Sequence, residues 1–240
     1  MSTSALRLAS RNAAALWTAL ARARGHDLVR RPGFLAVGGP RSLRVLLLDE
    51  DPGDLGEVAD LVRAAPGRVL VEDPFAAVDV ADLGLVARPL EVMWRTGPAP
   101  EPAPDVTPVR TPGELATAAR LAVEGFPFPG VDPAELAPPG LLAPPGVEVL
   151  IAWRSGEPAG VCLTIVDEDD VAGLYWVATL PAHRSKGVGR ALTATALHRA
   201  DRVATLTATT AGAPLYGSLG FTTAGVANWW SRPAETGSHP

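Results

Sequence analysis

A basic, glycine-containing loop between a strand and a helix is the part of this sequence best suited to bind a ligand. It spans residues 177–190 and reads Val-Ala-Thr-Leu-Pro-Ala-His-Arg-Ser-Lys-Gly-Val-Gly-Arg. Unpaired N–H groups at the start of a helix carry partial positive charge and hold phosphate well. Gly187 and Gly189 let the backbone approach an anion closely. Three side chains add positive charge, namely Arg184, Lys186 and Arg190. The loop therefore predicts a pyrophosphate site.

Two common phosphate-binding motifs do not describe this loop. In a Rossmann fingerprint three glycines follow the strand directly, whereas here a longer loop intervenes. A P-loop needs Gly-Lys-Ser/Thr, which this loop does not contain. A second block follows downstream. It consists of Leu206-Thr207-Ala208-Thr209 and then Gly-Ala-Pro-Leu-Tyr-Gly-Ser-Leu-Gly-Phe over residues 212–221.

The elements around these blocks indicate a mixed α/β sheet. Thr111-Pro112-Gly113-Glu114 is a capping box with proline at the first helical position, and it predicts a helix that ends near Glu124. Apolar patterning predicts strands at residues 106–109, 148–153, 160–166, 171–179, 204–209 and 221–230. Helices are predicted at about 187–200 and near 213–219. The fold class is therefore α/β, with a mixed sheet.

The two blocks together resemble motifs of the GNAT acyltransferase superfamily. Its acyl-CoA loop has the form Val-x-Val-x-Pro-x-x-Arg-x-x-Gly-x-Gly, and its later motif reads Leu-Tyr-x-x-Leu-Gly-Phe. The resemblance covers about residues 106–231 and departs from the pattern at Thr179, where an aliphatic residue is commoner. It implies that acetyl-CoA is the cosubstrate and that no metal is needed. Tyr216 falls on the family's tyrosine, which protonates the departing CoA sulfur.

The same resemblance implies a set of cofactor-binding residues. The main-chain groups of Val177 and Thr179 would pair with the pantetheine arm like an added strand, and Thr209 would lie near the cofactor. The strands at 171–179 and 204–209 would part to admit the thioester. The whole predicted set is Val177, Ala178, Thr179, Arg184, Ser185, Lys186, Gly187, Val188, Gly189, Arg190 and Thr209.

The implied reaction is transfer of acetyl from acetyl-CoA to a primary amine, by direct attack in a ternary complex. A small-molecule acceptor is the first expectation, because the proline-rich segment 127–145 suggests a walled pocket. Protein N-termini or lysines are the alternative acceptors. An acyl-CoA-binding or scaffold protein without catalysis is the alternative of another class.

The sequence leaves open which residue is the general base and which residues surround the acceptor. Glu124, Asp167 and Glu168 are candidate general bases, and a water chain is another route for the proton. Four aromatic residues could line an apolar pocket or belong to the core, namely Phe126, Phe128, Trp176 and Trp229.

A run of alternating prolines predicts the domain organisation. Residues 97–105 read Gly-Pro-Ala-Pro-Glu-Pro-Ala-Pro-Asp, which is typical of a semi-rigid linker. It separates an amino-terminal α/β domain, 1–96, from the GNAT-like domain, 106–231, and a tail, 232–240. The first domain begins with an amphipathic helix closed by Gly25. Asp82-Leu83-Gly84-Leu85 and the strand that follows resemble the end of a GNAT unit. One interpretation of this domain is therefore a degenerate GNAT-like half, which would brace the other domain or mediate dimer contacts without binding CoA.

Composition restricts the class of protein further. The chain has 240 residues, 47% of them hydrophobic, and a net charge of 21 − 26 = −5, with a pI near 5.4. This acidic balance argues against nucleic acid as a partner. A single cysteine, Cys162, excludes an intrachain disulfide and a cysteine-rich metal site. Without an apolar run near the roughly 18 residues of a membrane span, no membrane association is expected. A cytoplasmic protein is expected, and a homodimer is left open.

Overall fold

The computed structural model describes residues 2–53, 55–126 and 131–233. The part before the proline-rich segment, which we call the first half, contains two helices and five strands: α1 (Ser2–Arg24), β1 (Asp27–Arg30), β2 (Phe34–Gly39), β3 (Ser42–Leu47), α2 (Leu55–Ala64), β4 (Arg68–Asp73) and β5 (Val86–Arg95). The part after it, the second half, contains β6 (Val106–Pro108), α3 (Pro112–Gly125), α4 (Pro133–Leu136), β7 (Val147–Arg154), β8 (Glu157–Val166), β9 (Val171–Thr179), α5 (Val188–Ala200), β10 (Val203–Ala208), α6 (Ala213–Gly217) and β11 (Thr222–Ser231).

All these strands form one mixed sheet in the order β1-β2-β3-β4-β11-β5-β10-β9-β8-β7-β6. The antiparallel pair β11–β5 lies at its centre. Outward from this pair, each side has the same succession of strands: an antiparallel neighbour, then a parallel one, then antiparallel ones. Helix α2 joins the parallel pair β3–β4, and helix α5 joins the parallel pair β9–β10. The two halves therefore repeat one topology about the centre of the sheet.

The two halves exchange a strand. β5 belongs to the first half, yet it lies between β10 and β11 of the second half. β11 in turn lies between β4 and β5 of the first half. The predicted boundary at 97–105 therefore falls between two strands of one continuous sheet.

The parallel pair of the first half is closed. β3 and β4 pair without interruption from Ser42 opposite Arg68 to Leu46 opposite Glu72. The side chains of Arg44 and Glu72 form an ion pair across this junction. The Arg44 guanidinium also lies 3.6 Å above the ring of Trp17, which belongs to α1. Continuous ladder bonds and a buried ion pair leave no gap between these two strands.

Helix α1 forms part of the core of both halves. It begins at Ser2, and Gly25 follows its last residue with a φ of 65°, as the predicted glycine stop requires. Leu16 and Leu20 are fully buried in the core of the second half, among α3, β7 and β8. Ala14 and Ala21 pack instead against β2 and β3 of the first half. Because α1 contributes to both cores, it joins the halves by apolar contact.

Several local predictions are confirmed. Thr111 Oγ1 accepts a hydrogen bond from the Glu114 N–H, and Glu114 accepts one from the Thr111 N–H, so the capping box starts α3. β9 has the bounds that its pattern predicts. In the first half, a single 3-10 turn, Ala81–Leu83, precedes β5, and the residues of β1 have no pattern that predicts a strand. β1 escaped prediction because only one of its four residues is even partly buried, so it lacks apolar alternation.

The proline-rich segment is fastened to the second half. The Arg95 guanidinium donates to the carbonyl oxygens of Gly97 and Pro98 and, through Nε, to that of Leu219. Further along, the N–H of Ala103 donates to Thr195 Oγ1 on α5, at 2.9 Å. Extended proline-rich backbone is held here by side chains of both halves.

The described ranges contain neither a membrane-spanning helix nor a cluster of side chains suited to a metal ion. No helix among them is long and apolar enough to cross a membrane. No cluster of three or more His, Cys, Asp or Glu side chains suited to a metal ion occurs in those ranges.

Candidate active site

A cleft opens where β9 and β10 part. These parallel strands pair only over their first three residues, ending at Thr205 opposite Gly173. Beyond that point β10 stays paired with β5 as far as Ala208, so the separation lies on the β9 side. Unpaired N–H and C=O groups on a strand edge are a template for an extended ligand. The parting of these strands is the opening that the GNAT resemblance predicts, and we call it the β9–β10 cleft.

A β-bulge shapes the backbone of β9 beside the cleft. Leu163 of β8 pairs with Tyr175, and Val161 pairs with Ala178, so Trp176 and Val177 together face a single residue of β8. Trp176 has a φ of 53°, which is uncommon for a residue with a side chain. A bulge breaks the regular ladder and redirects the local peptide groups, and such irregularities are frequent next to active sites.

The predicted pyrophosphate loop leads from the end of β9 into α5. Ser185 and Gly187 have φ values of 59° and 82°, and Gly187 is the N-cap of α5. The first intrahelical bond runs from the Ala191 N–H to the Gly187 oxygen, which leaves the amides before Ala191 without helical acceptors. Gly189 is needed for close packing, since a Cβ there would lie 3.1 Å from Leu215 Cδ2 of α6. The loop therefore presents free amides at the start of a thirteen-residue helix.

The cationic side chains of this loop have neutral partners. Arg184 donates to the carbonyl oxygens of Gly125 and Thr179, Lys186 to that of Ala182, and Arg190 to Ser218 Oγ. None of the three forms an ion pair with an acidic side chain of the described ranges. Their positive charge is therefore free to interact with an anion.

Tyr216 and Thr209 lie on the other side of the cleft, around Gly212. A Cβ on Gly212 would lie 3.0 Å from the Tyr216 ring and 3.3 Å from Thr209 Oγ1. Thr209 Oγ1 accepts a hydrogen bond from the Gly212 N–H at 3.2 Å, which fixes the turn into α6. The ring of Tyr216 meets that of Phe221 edge-on, with centroids 6.0 Å apart. Burial raises the pKa of the Tyr216 phenol well above its usual value, so the hydroxyl keeps its proton.

The remaining predicted residues follow from the same elements. Ala178 is buried, and Val177 and Thr179 are half-buried near the end of β9. Val188 is buried at the first position of α5, and Ser185 is exposed in the loop. The structure thus brings the predicted cofactor-binding residues to the β9–β10 cleft and its mouth.

The candidate general bases are not equally placed. Asp167 Oδ1 accepts hydrogen bonds from the N–H groups of Asp169 and Val171, so it stabilises the turn before β9. Glu168 is exposed in the same turn. This turn is separated from the far end of β9 by about 26 Å, at roughly 3.3 Å per residue. Asp167 and Glu168 therefore lie at the opposite end of β9 from the pyrophosphate loop, and they stay candidate bases.

Glu124, the third candidate base, lies at the end of α3, close to the end of β9. The next residue, Gly125, accepts a hydrogen bond from Arg184, and a Cβ on Gly125 would lie 2.8 Å from that of Ala178. The end of α3 thus touches the end of β9. The Glu124 carboxylate is more than half exposed and lies 3.9 Å from the Arg120 guanidinium.

The proposed aromatic pocket is not formed as a single cluster. Phe126 and Trp176 pack at the edge of the α3 core, whereas Trp229 packs with α1 residues near β5 and β11. Phe128 lies outside the described residues.

Comparison with protein-family models gives a match. Residues 145–223 match the model described as an acetyltransferase (GNAT) domain. This third of the chain is similar to a GNAT acetyltransferase domain. The matched segment runs from just before β7 to the start of β11, so it contains the β9–β10 cleft, the loop and Tyr216.

Solved structures show that the GNAT fold extends beyond the matched segment. A GCN5-related N-acetyltransferase from Kribbella flavida has a TM-score of 0.65 at 20% identity, over 94% of this chain and 96% of that one. A GNAT-family acetyltransferase from Novosphingobium aromaticivorans has a TM-score of 0.63 at 18% identity, over 85% and 89%. A tandem GNAT protein from the clavulanic acid biosynthesis pathway has a TM-score of 0.51 at 16% identity, over 89% and 83%. No curated protein matches the sequence. These alignments include the first half, so the GNAT fold covers most of the chain.

Proposed function

We propose that this GNAT domain transfers an acetyl group from acetyl-CoA to a primary amine, and that the acceptor is a small molecule. The β9–β10 cleft carries the proposal, because its unpaired strand edge leads directly into a loop with free amides and unneutralised cations. That combination matches the chemistry of CoA, in which a polar, extended arm ends in a pyrophosphate.

Different residues of the cleft and of the loop would bind the two parts of acetyl-CoA, its pantetheine arm and its pyrophosphate. Main-chain groups of Val177 and Thr179 would hydrogen-bond the pantetheine arm as a neighbouring strand does. The amides of residues 187–190, with the side chains of Arg184, Lys186 and Arg190, would hold the pyrophosphate.

The transfer removes two protons from the ammonium nitrogen and supplies one to the sulfur. The amine nitrogen attacks the thioester carbonyl, a C–N bond forms, and the C–S bond breaks. An alkyl amine with a pKa near 10 must first lose a proton, at a cost of about 4 kcal/mol at pH 7. Glu124 or a water chain would accept that proton and also the second one, which the nitrogen loses as the amide forms, and one of the two protons would return to Tyr216 after its phenol has protonated the sulfur. On the other side, the protonated Tyr216 hydroxyl would hydrogen-bond the departing sulfur and supply its proton.

Direct calorimetric titration tests binding and its stoichiometry. We expect one acetyl-CoA per chain, because β3 and β4 are closed and the segment before α2 reads Asp49-Glu50-Asp51, which repels phosphate. CoA should also bind, and ATP at the same concentration should not. Two molecules per chain would contradict the single site, and no binding at millimolar concentration would contradict the proposed enzyme.

Replacement of one loop arginine tests the position of the pyrophosphate. Arg184→Ala is expected to raise the Kd of CoA about tenfold, because a charged donor near the phosphates is lost. Arg202→Ala is the matched control, since Arg202 is another exposed arginine but pairs with Asp170 in the turn before β9. Equal affinity of the Arg184 variant and the unmodified chain would place the pyrophosphate elsewhere.

One observation favours a second function. β9 carries no acidic residue along its length, so the cleft has no carboxylate on that strand to deprotonate an amine. A protein that binds acyl-CoA without turning it over would show the same calorimetric result. Release of free thiol from acetyl-CoA in the presence of a panel of amines separates the two, since only the enzyme releases it faster than buffer does.

A further inference from the structure

A buried asparagine of the first half is bonded to the strand that forms the cleft of the second half. Asn12 of α1 is fully buried. Its Nδ2 donates to the carbonyl oxygens of Val171, at 2.8 Å, and of Ile165, at 3.3 Å. Its Oδ1 accepts the hydroxyl proton of Tyr175, at 2.8 Å. One side chain thus satisfies two backbone groups and one phenol that lie over 150 positions away in sequence.

These contacts lie on both sides of the point where β9 leaves β10. Val171 belongs to the short stretch that still pairs with β10, whereas Tyr175 lies beyond it. Gly173, between them, has no room for a Cβ, which would overlap Asn12 Oδ1. The residue after Tyr175 is Trp176, the bulge residue with positive φ. Asn12 therefore holds β9 from the first residue of its paired stretch, Val171, to the start of the bulge.

The protonated form of the Tyr175 hydroxyl is the one that this hydrogen bond requires. Tyr175 is half-buried, and burial together with the nearby Asp167 raises the pKa of its hydroxyl, which stays protonated as a donor. Loss of the Tyr175–Asn12 bond would leave a buried amide oxygen without its partner. Of the side-chain hydrogen bonds from α1 to β9 in the described residues, only the one to Val171 would then remain, and the bulge would rely on its flanking pairs with β8.

We propose that Asn12 and Tyr175 are positioning residues of the acetyltransferase. They act from the first half to hold β9 parted from β10 and the Trp176–Val177 bulge in the orientation that the transfer needs. The inference rests on the proposed function for its effect on turnover, but the physical link can be measured without any ligand. It gives the first half a role that the closed β3–β4 pair does not supply.

Tyr175→Phe tests the proposal, with Ser10→Ala as its matched control. The first variant removes the hydroxyl and keeps the ring. Ser10 lies on the same helix as Asn12, is as buried as Asn12, and donates a 2.6 Å bond to the Leu47 oxygen in the first half. Each variant therefore loses one buried hydrogen bond made by α1, but only Tyr175→Phe loses one to β9.

Two readouts are compared on the full chain. Hydrogen exchange followed by mass spectrometry should be faster in the peptide 174–180 of Tyr175→Phe and unchanged there in Ser10→Ala. Turnover of acetyl-CoA should fall at least tenfold in kcat for Tyr175→Phe, with KM for acetyl-CoA within about threefold, since misplacement by about 1 Å can cost 100-fold while the phosphate loop is untouched. Ser10→Ala should keep kcat within twofold.

Three results would overturn the proposal. They are unchanged exchange in Tyr175→Phe, equally faster exchange in both variants, and faster exchange with an unchanged kcat. Absence of turnover in the unmodified chain would contradict the proposed function instead. The exchange comparison would then still support or overturn the link between Asn12 and β9.

Discussion

Residues 106–240 expressed alone are expected not to fold. β10 and β11 do not pair with each other; both pair with β5, which the fragment lacks. The fragment also loses Leu16 and Leu20 of α1 from its core. Removing buried leucine side chains costs about 2–5 kcal/mol each, and a whole domain is stable by only about 5–15 kcal/mol. We therefore expect no cooperative transition in thermal or urea unfolding followed by circular dichroism.

A split chain is the control for this truncation. Residues 1–105 and 106–240 produced together contain every strand of the sheet, and their junction lies in the linker. They are expected to associate and to show a cooperative transition. A fragment 106–240 that unfolds cooperatively and binds acetyl-CoA by itself would refute the expectation and establish two independent domains divided at 97–105.

Tyr216→Phe is expected to lower kcat by about 100-fold or more, which is within the usual range for loss of a general acid. The ring and its contact with Phe221 remain, so the free energy of unfolding and the Kd of acetyl-CoA should change little. Stopped-flow or steady-state thiol release measures kcat, and calorimetry measures the Kd. An unchanged kcat would show that Tyr216 only packs α6 against the sheet.

The pH profile adds a second check on Tyr216. An ordinary phenol ionises near pH 10, and burial moves the pKa of Tyr216 upward from there. Because the neutral hydroxyl is the form that donates, its contribution should persist from neutral pH through pH 9. A fall in kcat between pH 7 and 9 that disappears in Tyr216→Phe would contradict the direction of this pKa shift.

Short sequence patterns were enough to predict the local parts of the site. The capping box at Thr111, the bounds of β9 and the glycine turn into α5 depend on backbone preferences and apolar periodicity within a few residues. The spacing of the basic loop and the Tyr216 block was therefore sufficient to predict the GNAT resemblance. The same local rules missed β1, whose four residues are mostly exposed.

How the two halves share the site depends on contacts between residues that are distant in sequence. The insertion of β5 between β10 and β11, the closed β3–β4 pair and the Asn12–Tyr175 bond join residues far apart in the chain. The structure also shows that Asp167 Oδ1 accepts hydrogen bonds from backbone amides of its own turn. Strand pairing and buried hydrogen bonds depend on which surfaces come into contact when the chain folds. The periodicity of one segment does not specify the distant segment with which it will pair.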